Sequence, residues 1–196
     1  MNRPSPEIPK GRYNGKNLLR EESMELKGKR VAILVEDLYN EIEFWYPYYR
    51  LIEAGASVTV VGNGAKEYRS KLGLPAPGGV SAESVRSADF DAVVVPGGYA
   101  PDRMRRSPAM LALVRGCFQE GKILAAICHA GWVLVSAGIL KGKTATCFSS
   151  IRDDVANAGA KYVDQEVVRD GNLITSRTPD DLPAFCREII QALSKG

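Results

Sequence analysis

Short aliphatic runs alternate along this chain with stretches whose apolar positions recur every three to four residues, the pattern of βα units stacked on a mostly parallel sheet. Arg30 to Glu36 reads as a first strand buried on both faces. Glu41 to Ala54 follows as a helix, with Phe44, Tyr48 and Leu51 at helical spacing and Gly55 as its stop. Ser57 to Val61 is the next strand, whereas Gly62 to Gly79 is rich in glycine, proline and charge and reads as a connection with weak strand character. Asp91 to Val95 is a third buried strand ending in Pro96-Gly97-Gly98. Pro108 to Gly121 predicts a helix, Lys122 to Ile127 the central strand, and His129 to Ala137 the helix behind it. The last third changes style, with a short strand at Thr144 to Phe148 and a short helix at Asp153 to Asn157. Between Glu166 and Ser176, Asp170-Gly171 separates two β-rich runs, the strongest hairpin signal in the chain, and Pro179 to Leu193 closes as a helix. There is no internal repeat.

The junction of the central strand with its helix holds the residues of greatest chemical interest. Ile127 ends the apolar run, Cys128 follows, and the only histidine of the chain, His129, comes next. Small residues, Ala126 and Ala130, flank the cysteine two positions away on either side, as in nucleophile elbows where a strained turn exposes a reactive side chain. A sulfur at the start of a helix is also biased toward thiolate by the macrodipole. A buried core cysteine satisfies the same local pattern.

Composition narrows the alternatives. The 196 residues suit one α/β domain with a core that needs no staples. No run reaches the apolar length that crosses a bilayer. Cys117, Cys128, Cys147 and Cys186 lie far apart without a C-x-x-C pair, and one histidine cannot complete a thiolate and imidazole zinc set, so no metal and no cofactor is expected. Free thiols in a reducing cytoplasm are the expectation. The formal charge of +3 arises in residues 1–29, where Arg3, Lys10, Arg12, Lys16, Arg20, Lys27 and Lys29 outnumber Glu7, Glu21, Glu22 and Glu25. The remainder is balanced, which leaves a nucleic-acid face unsupported. That segment, with Pro4, Pro6 and Pro9, reads as a flexible or surface-wrapping arm ahead of one domain over 30–196.

Two further features fall at the same rim if the sheet is parallel, since ligand sites in open α/β sheets lie beyond the carboxyl ends of the strands. Gly97 and Gly98 let backbone N–H groups approach a substrate oxygen, and with the His129 N–H they would form an oxyanion hole. A plain Pro-Gly-Gly turn is the alternative. Glu43 stands near the start of the first helix; as a carboxylate it would raise a nearby thiol's pKa, and as an acid it would donate a hydrogen bond to the thiolate. An ordinary helix-start acid is the alternative there, and Glu41 fits that description better. His129 can act as a base only if its ring folds back toward the sulfur.

In combination these segments resemble the ThiJ/PfpI superfamily, in its PfpI-type branch of intracellular cysteine peptidases and glyoxalase III or deglycase-like enzymes. The resemblance spans about Lys29 to Leu193. It rests on Glu41-Ile42-Glu43 before Tyr46-Pro47, on Val95-Pro96-Gly97-Gly98, on Ala125-Ala126-Ile127-Cys128-His129 and on Ser136-Ala137-Gly138. Arg152-Asp153-Asp154 before Asn157-Ala158-Gly159-Ala160, and Ser176-Arg177 before Asp181-Leu182-Pro183-Ala184-Phe185, complete it. It implies a flavodoxin-like α/β sandwich with helices on both faces and a small β-hairpin. It also implies Cys128 as nucleophile, Glu43 as its hydrogen-bond partner, Gly98 and His129 as oxyanion donors, and Gly97, Tyr99 and Phe148 around the substrate.

The chain departs from the pattern at several positions. Peptidase members donate a glutamate across a subunit interface to the histidine; the corresponding residue is Asp102, one methylene shorter. Phe148 lies where relatives often carry tyrosine or tryptophan and offers no polar hydrogen. Asn40 stands in place of a frequent acidic residue. The leading expectation is a homo-oligomeric enzyme, dimer or hexamer, acting on small reactive carbonyls or glycated adducts. A PfpI-type peptidase is the second, and a redox sensor or holdase the third.

Overall fold

A computed structural model of the chain describes residues 25–195. Up to Met24 the expected arm lies outside the described residues. Of its described residues, Leu26 is fully buried and donates its N–H to the Ala54 carbonyl at 2.9 Å, which excludes the flexible form there and leaves the wrapping one. The apolar Leu26 side chain joins the hydrophobic core.

Seven strands form the main sheet, in the order β10-β11-β7-β6-β1-β2-β5. β1 (Arg30–Leu34) pairs in parallel with β2 (Ser57–Gly62) and with β6 (Ala92–Val95), and β6 pairs in parallel with β7 (Ile123–Ile127). Every residue of β6 and β7 is buried, as expected for strands covered on both faces. β5 (Val80–Ser81) adds a parallel edge beside β2. On the other side β11 (Leu173–Ser176) runs parallel to β7 and folds back on β10 (Val167–Asp170) as the one antiparallel pair of this sheet, the hairpin expected at Asp170-Gly171.

Helix α1 (Glu41–Glu53) packs against α6 (Leu182–Ser194) on one face of the sheet. On the opposite face α2 (Ala100–Met104) and α3 (Pro108–Gln119) pack against α4 (Gly131–Ala137), which also contacts α5 (Arg152–Asn157). Asn40 caps α1, its Oδ1 accepting from the N–H groups of Ile42 and Glu43 at 3.1 and 3.3 Å. An asparagine serves this cap as well as an acid would. α4 ends at Gly138 with φ 70°, a left-handed position that glycine adopts without strain.

Three local differences from the sequence reading matter. Within the Gly62 to Gly79 connection, β3 (Glu67–Arg69) and β4 (Pro75–Pro77) form a separate antiparallel hairpin. The helix expected from His129 begins instead with a 3-10 turn over Cys128–Ala130, the α-helix starting at Gly131. The strand expected over Thr144 to Phe148 is only β8 (Thr144–Ala145), paired with β9 (Lys161–Tyr162), because the chain turns into a 3-10 segment at Ser149–Ile151.

Candidate active site

Strand register assembles the site. Val95 at the end of β6 lies opposite Ala126 on β7, so the Pro96-Gly97-Gly98 loop leaves the sheet beside Ile127 and Cys128. Ile33 on β1 lies opposite Val94 on β6, which brings the start of α1 to the same rim. The Leu38 carbonyl accepts from the N–H groups of Tyr99 and Ala100 at 2.9 and 3.3 Å and so ties the glycine loop to the loop ahead of α1.

Cys128 has φ 63°, one of two non-glycine residues described with a left-handed backbone. For an L-residue this costs about 1–2 kcal/mol, held here by the buried Ile127 before it and the buried Ala130 two residues after it. The elbow predicted from the sequence is therefore present. Cys128 is 6% exposed, against 0–1% for the other three cysteines.

Glu43 is fully buried and points into the same space. Its Oε2 accepts the Gly97 N–H at 2.8 Å, while Oε1 is buried without a hydrogen-bond partner of normal geometry among the described residues. Burial raises its pKa from an ordinary 4.5 to about 7, against the lowering pull of the Cys128 thiol, the Gly97 N–H and the Lys71 charge. Gly97 is required by space. A Cβ there would lie 2.5 Å from Glu43 Oε2 and 2.7 Å from Cys128 Cβ. Its one N–H is taken by Glu43, so it holds Glu43 and Cys128 in place relative to each other.

Burial first, and then the Glu43 carboxylate, push the Cys128 thiol up to about 12, while the backbone N–H groups of His129 and Gly98 pull it down. Burial also pushes Cys117, Cys147 and Cys186 up to about 12. The thiolate bias expected from a helix start is thus outweighed while Glu43 is ionised. The helix proper begins three residues later, at Gly131, and Cys128 is desolvated. Protonating Glu43 removes the repulsion and turns the carboxyl into a donor, so one negative charge is shared by the pair.

The His129 ring does fold back: Nδ1 lies 3.2 Å from Cys128 Sγ. Its Nε2 lies 3.2 Å from the Oγ of Ser150, a residue the sequence reading missed. Phe148 stacks on the imidazole at 4.9 Å and 27°, and Trp132 meets it edge-on at 5.3 Å, anchored by donation from its Nε1 to Asp154 at 2.8 Å. Burial and the Lys71 charge hold the imidazole below its ordinary pKa of 6.5, keeping it neutral at pH 7. Tyr99 is 59% exposed, with its ring 6.5 Å from the imidazole and Lys71 Nζ 5.6 Å above it. Asp102 is exposed on α2, and no hydrogen bond joins it to His129 among the described residues.

Lys71 was also missed by sequence. It lies in the turn of the β3–β4 hairpin, which is docked by donation of its N–H to the Tyr39 carbonyl and of the Leu72 N–H to Glu41. No group of three or more His, Cys, Asp or Glu side chains suited to a metal ion occurs among the described residues, and no described helix is long and apolar enough to cross a membrane.

The chain is similar over most of its described length to known proteins. The chain is 42% identical over 164 residues to a deglycase of Pyrococcus abyssi, covering 84% of this chain and 99% of that protein. It is 40% identical over 166 residues to YraA of Bacillus subtilis, named as a candidate cysteine protease, covering 84% and 98%. The crystal structure of Drosophila melanogaster DJ-1beta superposes with a TM-score of 0.80 at 34% identity, covering 86% of this chain and 91% of that one. The family model described as DJ-1/PfpI matches residues 29–192, the whole sheet and every element that reaches Cys128. With the flavodoxin-like sandwich and these relatives in agreement, the chain belongs to the DJ-1/PfpI family.

Proposed function

We propose that the chain is a cysteine-dependent enzyme acting on small reactive carbonyls or their glycated adducts, with Cys128 as nucleophile. One observation carries the reading: a strained Cys128 faces the buried carboxyl of Glu43 and lies against the N–H groups of Gly98 and His129. The thiol proton passes to the Glu43 carboxylate and the sulfur adds to the carbonyl carbon. The π electrons move to oxygen, where the Gly98 and His129 N–H groups stabilise the charge. Glu43 then returns its proton to that oxygen, leaving a neutral hemithioacetal. A group that holds its proton to about pH 7 is suited to both directions of this transfer. His129 Nδ1, next to the sulfur, is the base for the proton removal that follows. Tyr99, Trp132 and Phe148 crowd the imidazole and favour a small substrate. The deglycase name of the P. abyssi relative supports the same substrate class.

A peptidase reading draws on the same contact between Sγ and Nδ1 and on the name of the B. subtilis relative. It also needs a carboxylate on the imidazole. Within the described residues Nε2 meets the Ser150 hydroxyl instead, which favours carbonyl chemistry. Cys128, Glu43, His129 and Gly98 form the reacting set of this proposal, and Asp102 enters it only through a second subunit. A homo-oligomer is supported by the exposed apolar strip of Ile42, Tyr46, Tyr49 and Leu74. Four free thiols support a reducing compartment such as the cytoplasm.

A side-by-side assay of methylglyoxal consumption and casein hydrolysis, with the wild type and Cys128→Ser, tests the assignment. Carbonyl consumption that vanishes in the serine variant supports it. Casein hydrolysis without carbonyl consumption would replace it with the peptidase reading.

A further inference from the structure

The imidazole of His129 has two hydrogen-bonding edges, and the chemistry above uses one. Nδ1 faces the Cys128 sulfur, and Nε2 faces the Ser150 hydroxyl at 3.2 Å. Ser150 is the middle residue of the 3-10 turn Ser149–Ile151, which is fastened to the elbow by the residue ahead of it and anchored at its end. The Phe148 N–H donates to the Cys128 carbonyl at 3.3 Å, the Phe148 ring lies on the imidazole, and the Ile151 side chain is buried. The hydroxyl is therefore held against Nε2 by the backbone that also orients the ring.

We propose that Ser150 is the positioning residue of His129, its hydroxyl accepting the Nε2 hydrogen and so holding the neutral imidazole in the tautomer whose bare Nδ1 faces Cys128. The inference rests on the cysteine-enzyme reading for its consequence in catalysis. A neutral imidazole carries one N–H, and whichever nitrogen bears it is selected by the partner on the other edge. With the hydrogen on Nε2, Nδ1 is free to take a proton from the substrate held on the sulfur. Phe148 supplies no polar hydrogen or acceptor at this edge, and Ser150, two residues on, does.

The orienting group is thus neutral and comes from the same chain, in place of a carboxylate from a partner subunit. Around the ring stand Cys128 on its own turn, Glu43 from α1 beyond the sulfur, Lys71 from the β3–β4 turn and Tyr99 ahead of α2. Arg152 and Asp154 lie on α5, the latter engaged by Trp132. None of the described hydrogen bonds brings an anion to Nε2. An uncharged partner leaves the imidazole neutral at pH 7, which suits a base acting on a bound small molecule. It lacks the charge that stabilises an imidazolium while an amine leaves.

The single histidine makes the test direct, because one pair of ring nitrogens is observed by long-range 1H–15N correlation. In wild-type protein the spectrum is expected to show the Nε2–H form in excess. Ser150→Ala should shift the tautomer ratio by about fivefold or more, the worth of one neutral hydrogen bond; Ser150→Thr should restore it. Ser150→Asp should raise the imidazole's titration midpoint and carry the acidic limb of the turnover profile to higher pH. A wild-type spectrum dominated by Nδ1–H, or Ser150→Ala and Ser150→Asp spectra that titrate like the wild type, would overturn the inference. Since the spectrum does not depend on turnover, it decides the role of Ser150 even if carbonyl consumption is absent. Turnover with an unmoved spectrum would sink this inference alone.

Discussion

Replacing Glu43 with glutamine isolates the titration on which the proposed chemistry depends. The amide oxygen can still accept the Gly97 N–H, and the amide nitrogen can still donate toward sulfur, so shape and hydrogen bonding are conserved. What is lost is the ability to ionise. Holding the proton to about pH 7, where an exposed glutamate releases it near 4.5, corresponds to about 3.4 kcal/mol at about 1.4 kcal/mol per pH unit. Glu43 has no exposed surface, so solvent screening does not reduce this figure greatly. Below pH 4.5 both folded and unfolded chains are protonated and the group contributes no pH dependence. Between 4.5 and 7 the unfolded chain gives up its proton first, and stability falls as pH rises; above 7 both are ionised and the loss is complete. Urea unfolding of the wild type and Glu43→Gln at intervals from pH 4.5 to 8 should therefore show the variant gaining on the wild type by about 3 kcal/mol across that window. Other carboxylates are common to both proteins and cancel in the difference. Stability curves that run parallel from pH 4.5 to 8 would refute the reasoning and leave Glu43 as a helix-start acid.

Limiting iodoacetamide followed by peptide mass spectrometry should label Cys128 before Cys117, Cys147 and Cys186, because it alone has measurable exposure beyond 1% and N–H groups directed at its sulfur; prior labelling of any other thiol contradicts this. Gly97→Ala should cost about 1–3 kcal/mol, as overpacking does, and impair turnover, since the new methyl meets Glu43 Oε2 and Cys128 Cβ. Unchanged thermal melting would contradict it. Lys71→Met should raise the titration midpoints of both His129 and Glu43, because the lysine charge favours the neutral imidazole and the ionised carboxylate. NMR titration of His129 reads the first directly, and a midpoint that stays or falls would exclude Lys71 from the field at the site.

The fold was legible because buried parallel strands leave continuous aliphatic runs, such as those of β1, β6 and β7, separated by amphipathic helices. Cys128 was legible for the same reason: a run ends there, and the small residues about it leave room for a strained turn. The resemblance added the partners that lie far off in sequence. Ser150 was not legible, since a single residue in a 3-10 turn has no periodicity, and only the contact of Phe148 with the elbow brings it to Nε2. Lys71 was hidden in a stretch whose glycines and prolines announce turns without saying where the hairpin docks. The acidity of the thiol was only half legible, because a helix start speaks for thiolate, while burial and the Glu43 charge, both tertiary, speak against it. The direction of the His129 ring likewise followed from packing on Phe148 and Trp132.

The central claim is that Cys128 adds to a small carbonyl, and 13C NMR of the protein mixed with an aldehyde labelled at its carbonyl carbon tests it most directly. The account predicts a new hemithioacetal carbon resonance in the wild type that is absent from Cys128→Ser and from protein alkylated at Cys128. A spectrum showing only free and hydrated aldehyde, or the same new resonance in Cys128→Ser, would contradict it.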